Sequence, residues 1–166
     1  MNTAPSKTNA LRVILLAGFI AGTLDILAAF TQFYINNHKS PLIILKYIAS
    51  AAIGREKAYG GGNEMYLLGL LFHYIIAYGL TIFFFWIYPY WHALSKNRLL
   101  TAVIFGIFSW MVTALIIVPL SYINKFPSDP KQATIAVLIL IFMIGLPLSL
   151  IIGKYHDRRA VGRLGT

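Results

Sequence analysis

Two ionisable side chains, Asp25 and His73, interrupt long apolar stretches of the sequence. Asp25 lies in AGFIAGTLDILAAF, and His73 lies in YLLGLLFHYIIAYGL. Inside a membrane a carboxylate costs about 2.5 to 3.5 kcal/mol on insertion scales. A hydrogen bond between the carboxylate and the imidazole would offset that cost, and the two groups could share one proton. The pair therefore predicts either a proton or ion relay or a buried polar clamp that fixes helix register. Pairing of Asp25 with Lys46 or with water is the remaining alternative.

The composition indicates that lipid surrounds these two residues. Of 166 residues, 58% are apolar and only 11% are charged, which is unusual for a soluble domain of this size. An apolar run of about 20 residues crosses a bilayer core, and four such runs occur, at 11–34, 65–88, 99–121 and 133–153. The first run is too long for a signal peptide, and no A-x-A cleavage site follows it. The sequence predicts an all-α integral membrane protein with a four-helix bundle, formed as one domain over 1–166.

Several function classes are not expected from this sequence. The net charge is +9, but the 14 Lys and Arg are scattered over helix flanks, so we expect no nucleic-acid partner. The chain has no cysteine and no dinucleotide, P-loop or H-E-x-x-H motif. Asp25 and His73 alone supply too few ligands for a closed zinc site. We therefore expect no metal, no cofactor and no assignable catalytic residue.

A shorter apolar segment, 41–53, is predicted to form a helix between the first two spans. Ser40 is suited to cap it, Pro41 fits its first turn, and Gly54 is a typical stop. At about 1.5 Å per residue it is too short to span a bilayer, so it is expected to be interfacial or re-entrant, or to cap the bundle. Lys46 and Ser50 share one edge of this helix. The following segment, REKAYGGGNE, is predicted to be a flexible hinge.

Small residues recur on one face of each predicted span, which is typical of helices that pack closely in lipid. The expected packing positions are Gly18, Gly22, Gly69, Gly106, Gly145 and Gly153. Asp25 and His73 fall on two of these faces, at similar depth. Pro147 cannot donate a hydrogen bond to the carbonyl of Met143, so a kink and a free acceptor are expected there. The sequence thus predicts one polar layer inside the bundle, formed by Asp25, His73, Ser109, Thr113 and the Met143 carbonyl.

The stretch LKYIASAAIGREKAYGGGNEMYLLGLLFHYIIAYGL resembles a family of small, uncharacterised bacterial inner-membrane proteins with four predicted spans. Val118 to Ser121 and Gly145 to Pro147 resemble two later motifs of that family. The resemblance implies an integral membrane protein without an assigned activity, and it matches His73 to the histidine of the family. Met143 stands where a second histidine is common, which speaks against two-histidine chemistry.

The distribution of basic residues predicts how the chain is oriented in a membrane. Eight Lys and Arg lie on the side of the termini against six on the other side, which favours cytoplasmic termini in a bacterial inner membrane. The expected partners are the lipid bilayer and either a second copy of the chain or another membrane protein. One hypothesis is a small transporter or channel for protons or a solute, and the alternative is a structural or accessory membrane protein. A lipid-active enzyme using His73, Ser50 or Glu64 is the least expected.

Overall fold

The computed structural model describes residues 7–90 and 97–164, and these two ranges contain helices and no β-strand. Six helices follow one another: α1 Lys7–Asn37, α2 Ile43–Ile53, α3 Arg55–Gly60, α4 Glu64–Ile87, α5 98–120 and α6 130–164. A 3₁₀ turn, Tyr88–Tyr90, extends α4. The prediction of an all-helical fold is confirmed for these two ranges.

Four of these helices are long and apolar enough to cross a membrane. The candidate spans are Asn9–Asn37, Glu64–Tyr90, Arg98–Leu120 and Pro130–Arg158. They cover the four predicted runs, apart from the last residue of the third. The fourth helix is much longer than its predicted span because the polar tail also stays helical, as far as Leu164. Large apolar side chains face outward, for example Leu67 at 71% and Trp86 at 70% exposure. Such a surface suits hydrocarbon and would favour association in water.

The long helices pack around one apolar core. α1 contacts α4 and α6, and α5 contacts α6. α1 and α4 are antiparallel, because Gly22 meets Tyr74 whereas Gly18 meets Tyr78. Aromatic rings fill the space between α4 and α5, where the centroids of Phe84 and Phe105 are 4.5 Å apart. The core residues are Ala17, Ala21, Leu80, Phe84, Tyr88, Phe105, Leu140, Ile144, Leu148 and Ile152.

The predicted packing glycines lie where a β-carbon would meet another part of the bundle: Gly18, Gly22, Gly69, Gly106, Gly145 and Gly153. The closest approaches are to backbone. A β-carbon on Gly69 would meet the carbonyl oxygen of Leu45 in α2, and one on Gly145 would meet that of Ala102 in α5. Backbone atoms cannot rotate away as a side chain can, so these glycines allow α2 to approach α4 and α5 to approach α6.

Two π-helical segments precede the prolines of the last two helices. Val112–Ile117 lies before Pro119, and Ile141–Gly145 lies before Pro147. Proline lacks an N–H group and its ring collides with the carbonyl four residues earlier, and a wider turn relieves that conflict. At Pro147 the sequence predicts a kink and a free Met143 carbonyl. In the structure the helix turn before Pro147 is wider, and the Leu146 N–H donates to the Ile141 carbonyl. The π-helical segment before Pro119 was not predicted from the sequence.

The connection between α1 and α4 differs in part from prediction. α2 begins at Ile43, with Leu42 as its N-cap residue and no side-chain cap, so the predicted cap by Ser40 is wrong. Backbone bonds within a preceding turn organise the helix start instead, including one from Ile44 N to the Pro41 carbonyl. Gly54 ends α2 at a φ of 86°, as its lack of a side chain allows. Arg55–Gly60 is helical, so the flexible-hinge prediction is wrong for those residues.

α2 lies against the bundle and contacts two parts of it. Leu45, Ala49 and Ser50 are buried, and the main contacts of α2 are with α4. At its other end the Tyr122 N–H donates to the Ala51 carbonyl at 3.1 Å. Tyr122 follows α5, so α2 reaches from α4 to the end of α5. These contacts show that α2 packs against the bundle, and its placement as an interfacial helix, a re-entrant segment or a cap stays a prediction.

Candidate functional site: a polar cavity in the helix bundle

A cavity of about 110 Å³ lies where α1, α2, α4, α5 and α6 come together. Its polar lining consists of Asp25 from α1, His73 from α4 and Thr113 from α5. The remaining wall is aliphatic and is formed by Ile48, Ile76, Ala77, Leu80, Leu140 and Ile144. A space of this size, with polar groups in its wall, is large enough to hold water. Three polar side chains from three separate helices thus share one small space inside an apolar bundle.

His73 is buried and is fixed by a bond to the neighbouring helix. Its Nε2–H donates to the carbonyl oxygen of Gly22 in α1 at 2.8 Å. A carbonyl can only accept, so this contact places a proton on Nε2. Gly22 presents no side chain there, and the backbone is open to the ring. The small-residue face of α1 therefore serves as a hydrogen-bonding surface for α4.

Two tyrosines of α4 add further polar contacts with α1, and the sequence analysis did not predict them. The Tyr78 hydroxyl donates to the Leu15 carbonyl at 3.1 Å. The Thr23 hydroxyl donates to the Phe19 carbonyl, so the Tyr74 hydroxyl, 2.7 Å from it, is the donor of their shared bond. Tyr74 and Tyr78 are four residues apart and therefore share one edge of α4, which is the sequence signal that both contact the same neighbouring helix.

Asp25 and His73 line the same cavity and interact electrostatically. No hydrogen bond joins their side chains, both of which the structure describes; His73 Nε2 is bonded to Gly22 instead. The structure therefore brings the two predicted residues to one site without the direct bond that the sequence analysis considered. Whether they behave as one energetic unit stays a prediction.

The other members of the predicted polar layer are distributed differently. The Thr113 hydroxyl donates to the Ser109 carbonyl at 2.8 Å, a local bond within α5. Ser109 is fully buried and is not part of the cavity wall; its hydroxyl has no hydrogen-bond partner within the described ranges. Met143 is half-buried and also outside the wall, whereas Ile144, the next residue, lines it. The cavity thus unites Asp25, His73 and Thr113 from the five predicted positions.

Lys46 and Ser50 in α2 have local partners. Lys46 Nζ donates to the Gly61 carbonyl at 2.7 Å and lies 5.3 Å from the centre of the Tyr66 ring. Ser50 Oγ donates to the Tyr47 carbonyl at 2.6 Å. Lys46 therefore ties α2 to the connection that leads into α4. The cavity residue that α2 does supply is Ile48, which the sequence analysis did not single out.

A second polar cluster ties α5 to α6 near the start of α5. Arg98 forms an ion pair with Asp157 at 2.5 Å and donates to the Leu150 carbonyl at 2.9 Å. In return, Ser149 Oγ donates to the Arg98 carbonyl at 2.7 Å. The guanidinium lies beside Gly153, one of the predicted packing positions. Charged residues at helix flanks gave no sequence signal for this pairing, because they are 59 residues apart.

The residues considered for lipid chemistry are not brought together. Glu64 Oε1 accepts from the Gly62 N–H at 2.7 Å on the surface, and Ser50 is buried in α2. Neither lines the cavity that contains His73. Among the described residues there is also no group of three or more His, Cys, Asp or Glu side chains placed to hold a metal ion.

Comparisons of the chain with known protein families, with curated proteins and with solved structures find no match. The resemblance to small bacterial inner-membrane proteins accordingly stays a prediction. The fold and the site define the class of protein: an all-helical chain with four helices long and apolar enough to span a membrane, and a polar cavity among them.

Proposed function

We propose that the protein resides in a bacterial inner membrane and passes protons or a small solute through the cavity of Asp25, His73 and Thr113. The observation that supports the proposal is the convergence of these three side chains, from three helices, on one cavity. Ionisable residues inside membrane proteins typically face water-filled cavities and mark the paths of ions, protons or substrates. Placing a carboxylate inside the bundle costs free energy, and a role in transport accounts for that cost.

Flux into vesicles tests this proposal. The purified chain is reconstituted into liposomes, and proton entry is followed with an internal pH-sensitive dye while small-solute entry is followed by light scattering. We expect flux above that of protein-free vesicles and a decrease of at least ten-fold in Asp25→Asn. Equal flux with and without protein for every solute, or unchanged flux in Asp25→Asn, would contradict the proposal.

Asp129→Asn is the matched control, because it removes the same charge far from the cavity. Asp129 caps the start of α6 by accepting from the N–H groups of Lys131 and Gln132. Asparagine is an equally good N-cap residue, so the helix start is retained. We expect Asp129→Asn to keep the flux of the unmodified protein.

The second candidate function is a structural or accessory membrane protein that acts through a second copy or another membrane protein. The observation in its favour is that His73 is bonded to the backbone of α1 and holds two helices together. In this case Asp25→Asn would change the stability of the bundle and leave vesicle permeability as it is. Measuring both quantities on the same variants separates the two functions.

A further inference from the structure

The polar groups of the cavity have a common property: their hydrogen-bond donors are already used, and acceptors remain. We infer that the cavity binds a small protonated amine, a primary alkylammonium of one or two carbons. This inference rests on the proposed function, because it names the class of solute that the same cavity takes.

His73 supplies the first acceptor. Its Nε2–H donates to the Gly22 carbonyl at 2.8 Å, so that proton is not available to a ligand. In a neutral imidazole the other ring nitrogen, Nδ1, then carries a lone pair and accepts. The bond to Gly22 thus selects the tautomer in which the free nitrogen of His73 is an acceptor.

Thr113 and Asp25 supply the other hydrogen-bond acceptors of the cavity. The Thr113 hydroxyl proton is given to the Ser109 carbonyl at 2.8 Å, which leaves the hydroxyl oxygen as an acceptor. An ionised Asp25 accepts through two oxygens and donates nothing. No described residue donates a hydrogen bond to the Asp25 side chain, and neither Lys nor Arg is among the residues that line the cavity. His73 is the other ionisable residue of the wall, and as a neutral imidazole it adds no positive charge, so the negative charge of Asp25 is available to a cation.

These features select one ligand chemistry. An anion or a pure acceptor would face like charge and lone pairs, whereas a donor with a positive charge meets both acceptors and an opposite charge. Calcium and magnesium require about six or more oxygen ligands, and this cavity offers the Asp25 carboxylate and the Thr113 hydroxyl. A primary ammonium group has three N–H donors, which match the carboxylate, the hydroxyl and the imidazole nitrogen.

The size and the walls of the cavity define the rest of the ligand. Aliphatic side chains such as Ile48, Ile76 and Ile144 surround the polar groups and suit a methyl or ethyl group. A cavity of about 150 Å³ in another protein holds benzene, whereas this one measures about 110 Å³. The polar groups and the aliphatic wall therefore suit a short alkylammonium such as methylammonium or ethylammonium.

Radiolabelled methylammonium provides the test, with binding to the full chain in detergent measured by equilibrium dialysis. We expect saturable binding that excess ethylammonium displaces and tetramethylammonium, which has no N–H donor, does not. Asp25→Asn is expected to weaken binding at least ten-fold, and Asp129→Asn is expected to leave it unchanged. Absence of saturable binding to the folded wild-type protein, or equal displacement by tetramethylammonium, overturns the inference.

A second variant keeps the test decisive if Asp25→Asn does not fold. Thr113→Val retains the shape of the side chain and removes its acceptor, so we expect methylammonium binding to weaken at least three-fold. Thr31→Val is its matched control, because Thr31 also donates to the carbonyl four residues earlier but lies on the exposed side of α1. Unchanged binding in Thr113→Val overturns the inference.

The flux experiment distinguishes this inference from the proposed function. Proton flux that depends on Asp25, in a protein that does not bind methylammonium, overturns the amine site and leaves the transport proposal standing. Saturable methylammonium binding without any flux supports the site and contradicts transport.

Discussion

The imidazole of His73 donates a hydrogen bond to the backbone carbonyl of Gly22, at 2.8 Å, and so joins the middle of α4 to the middle of α1. Asp25 lies three residues beyond Gly22 on α1 and lines the same cavity as the ring. The bond fixes the position and the tautomer of the imidazole beside the carboxylate. The polar site thus depends on a contact that also holds the helices together.

Asp25 and His73 are expected to be energetically coupled. His73→Phe removes the bond to Gly22, and we expect a loss of about 1 to 2 kcal/mol in the free energy of unfolding, the scale of a good hydrogen bond inside a membrane. Because the two residues share a cavity, Asp25→Asn and His73→Phe together should cost less than the sum of the single losses. A double-mutant cycle, measured by unfolding in detergent, gives the coupling energy directly, and we expect at least about 0.5 kcal/mol. A coupling energy within about 0.3 kcal/mol of zero would show that the two side chains act independently.

Substituting the glycines at backbone contacts should separate helices. Gly69→Ala places a methyl group against the Leu45 carbonyl, and Gly145→Ala places one against the Ala102 carbonyl. We expect each to lower the free energy of unfolding by about 1 to 3 kcal/mol, the usual cost of overpacking. Gly79→Ala is the control, since a β-carbon there meets open space and alanine is the better helix former by about 1 kcal/mol. If all three variants had the same stability, the proposed close contacts would be disproved.

Lys46 is expected to hold the connection before α4 in place. Lys46→Met removes the donor to the Gly61 carbonyl while keeping an unbranched apolar side chain. We expect faster amide hydrogen exchange in residues 54–63, measured by mass spectrometry. Lys39→Met, at an exposed position in the turn before α2, is the control and should leave exchange in that segment unchanged. Equal exchange in both variants would show that the Lys46 bond does not order the connection.

The expected orientation can be checked with reporter fusions. Eight Lys and Arg on the side of the termini against six on the other favour cytoplasmic termini. A reporter fused after Thr166 should therefore be active in the cytoplasm, and one inserted between residues 57 and 64 should be active outside it. The reverse pattern at both positions would invert the orientation and place the connection between α1 and α4 on the cytoplasmic side.

The sequence by itself determined the elements that depend on local properties. Long apolar runs require helices to satisfy their backbone groups in lipid, and four such helices are present. Gly54 marks the end of α2 because it adopts a positive φ without strain. The small-residue faces also located the close contacts, since only glycine permits backbones to approach as they do at Gly69 and Gly145.

Tertiary structure decided which polar groups meet. His73 and Gly22 are 51 residues apart in the sequence. The His73 ring bonds to the Gly22 carbonyl and not to Asp25 because of how α1 and α4 are rotated against each other. The rotation is set by packing across the whole interface, which a single helix does not encode. For the same reason Ile48 became part of the cavity wall and Met143 did not. Neither placement follows from periodicity, because a helical face indicates which side is inward but not which residue of another helix lies opposite.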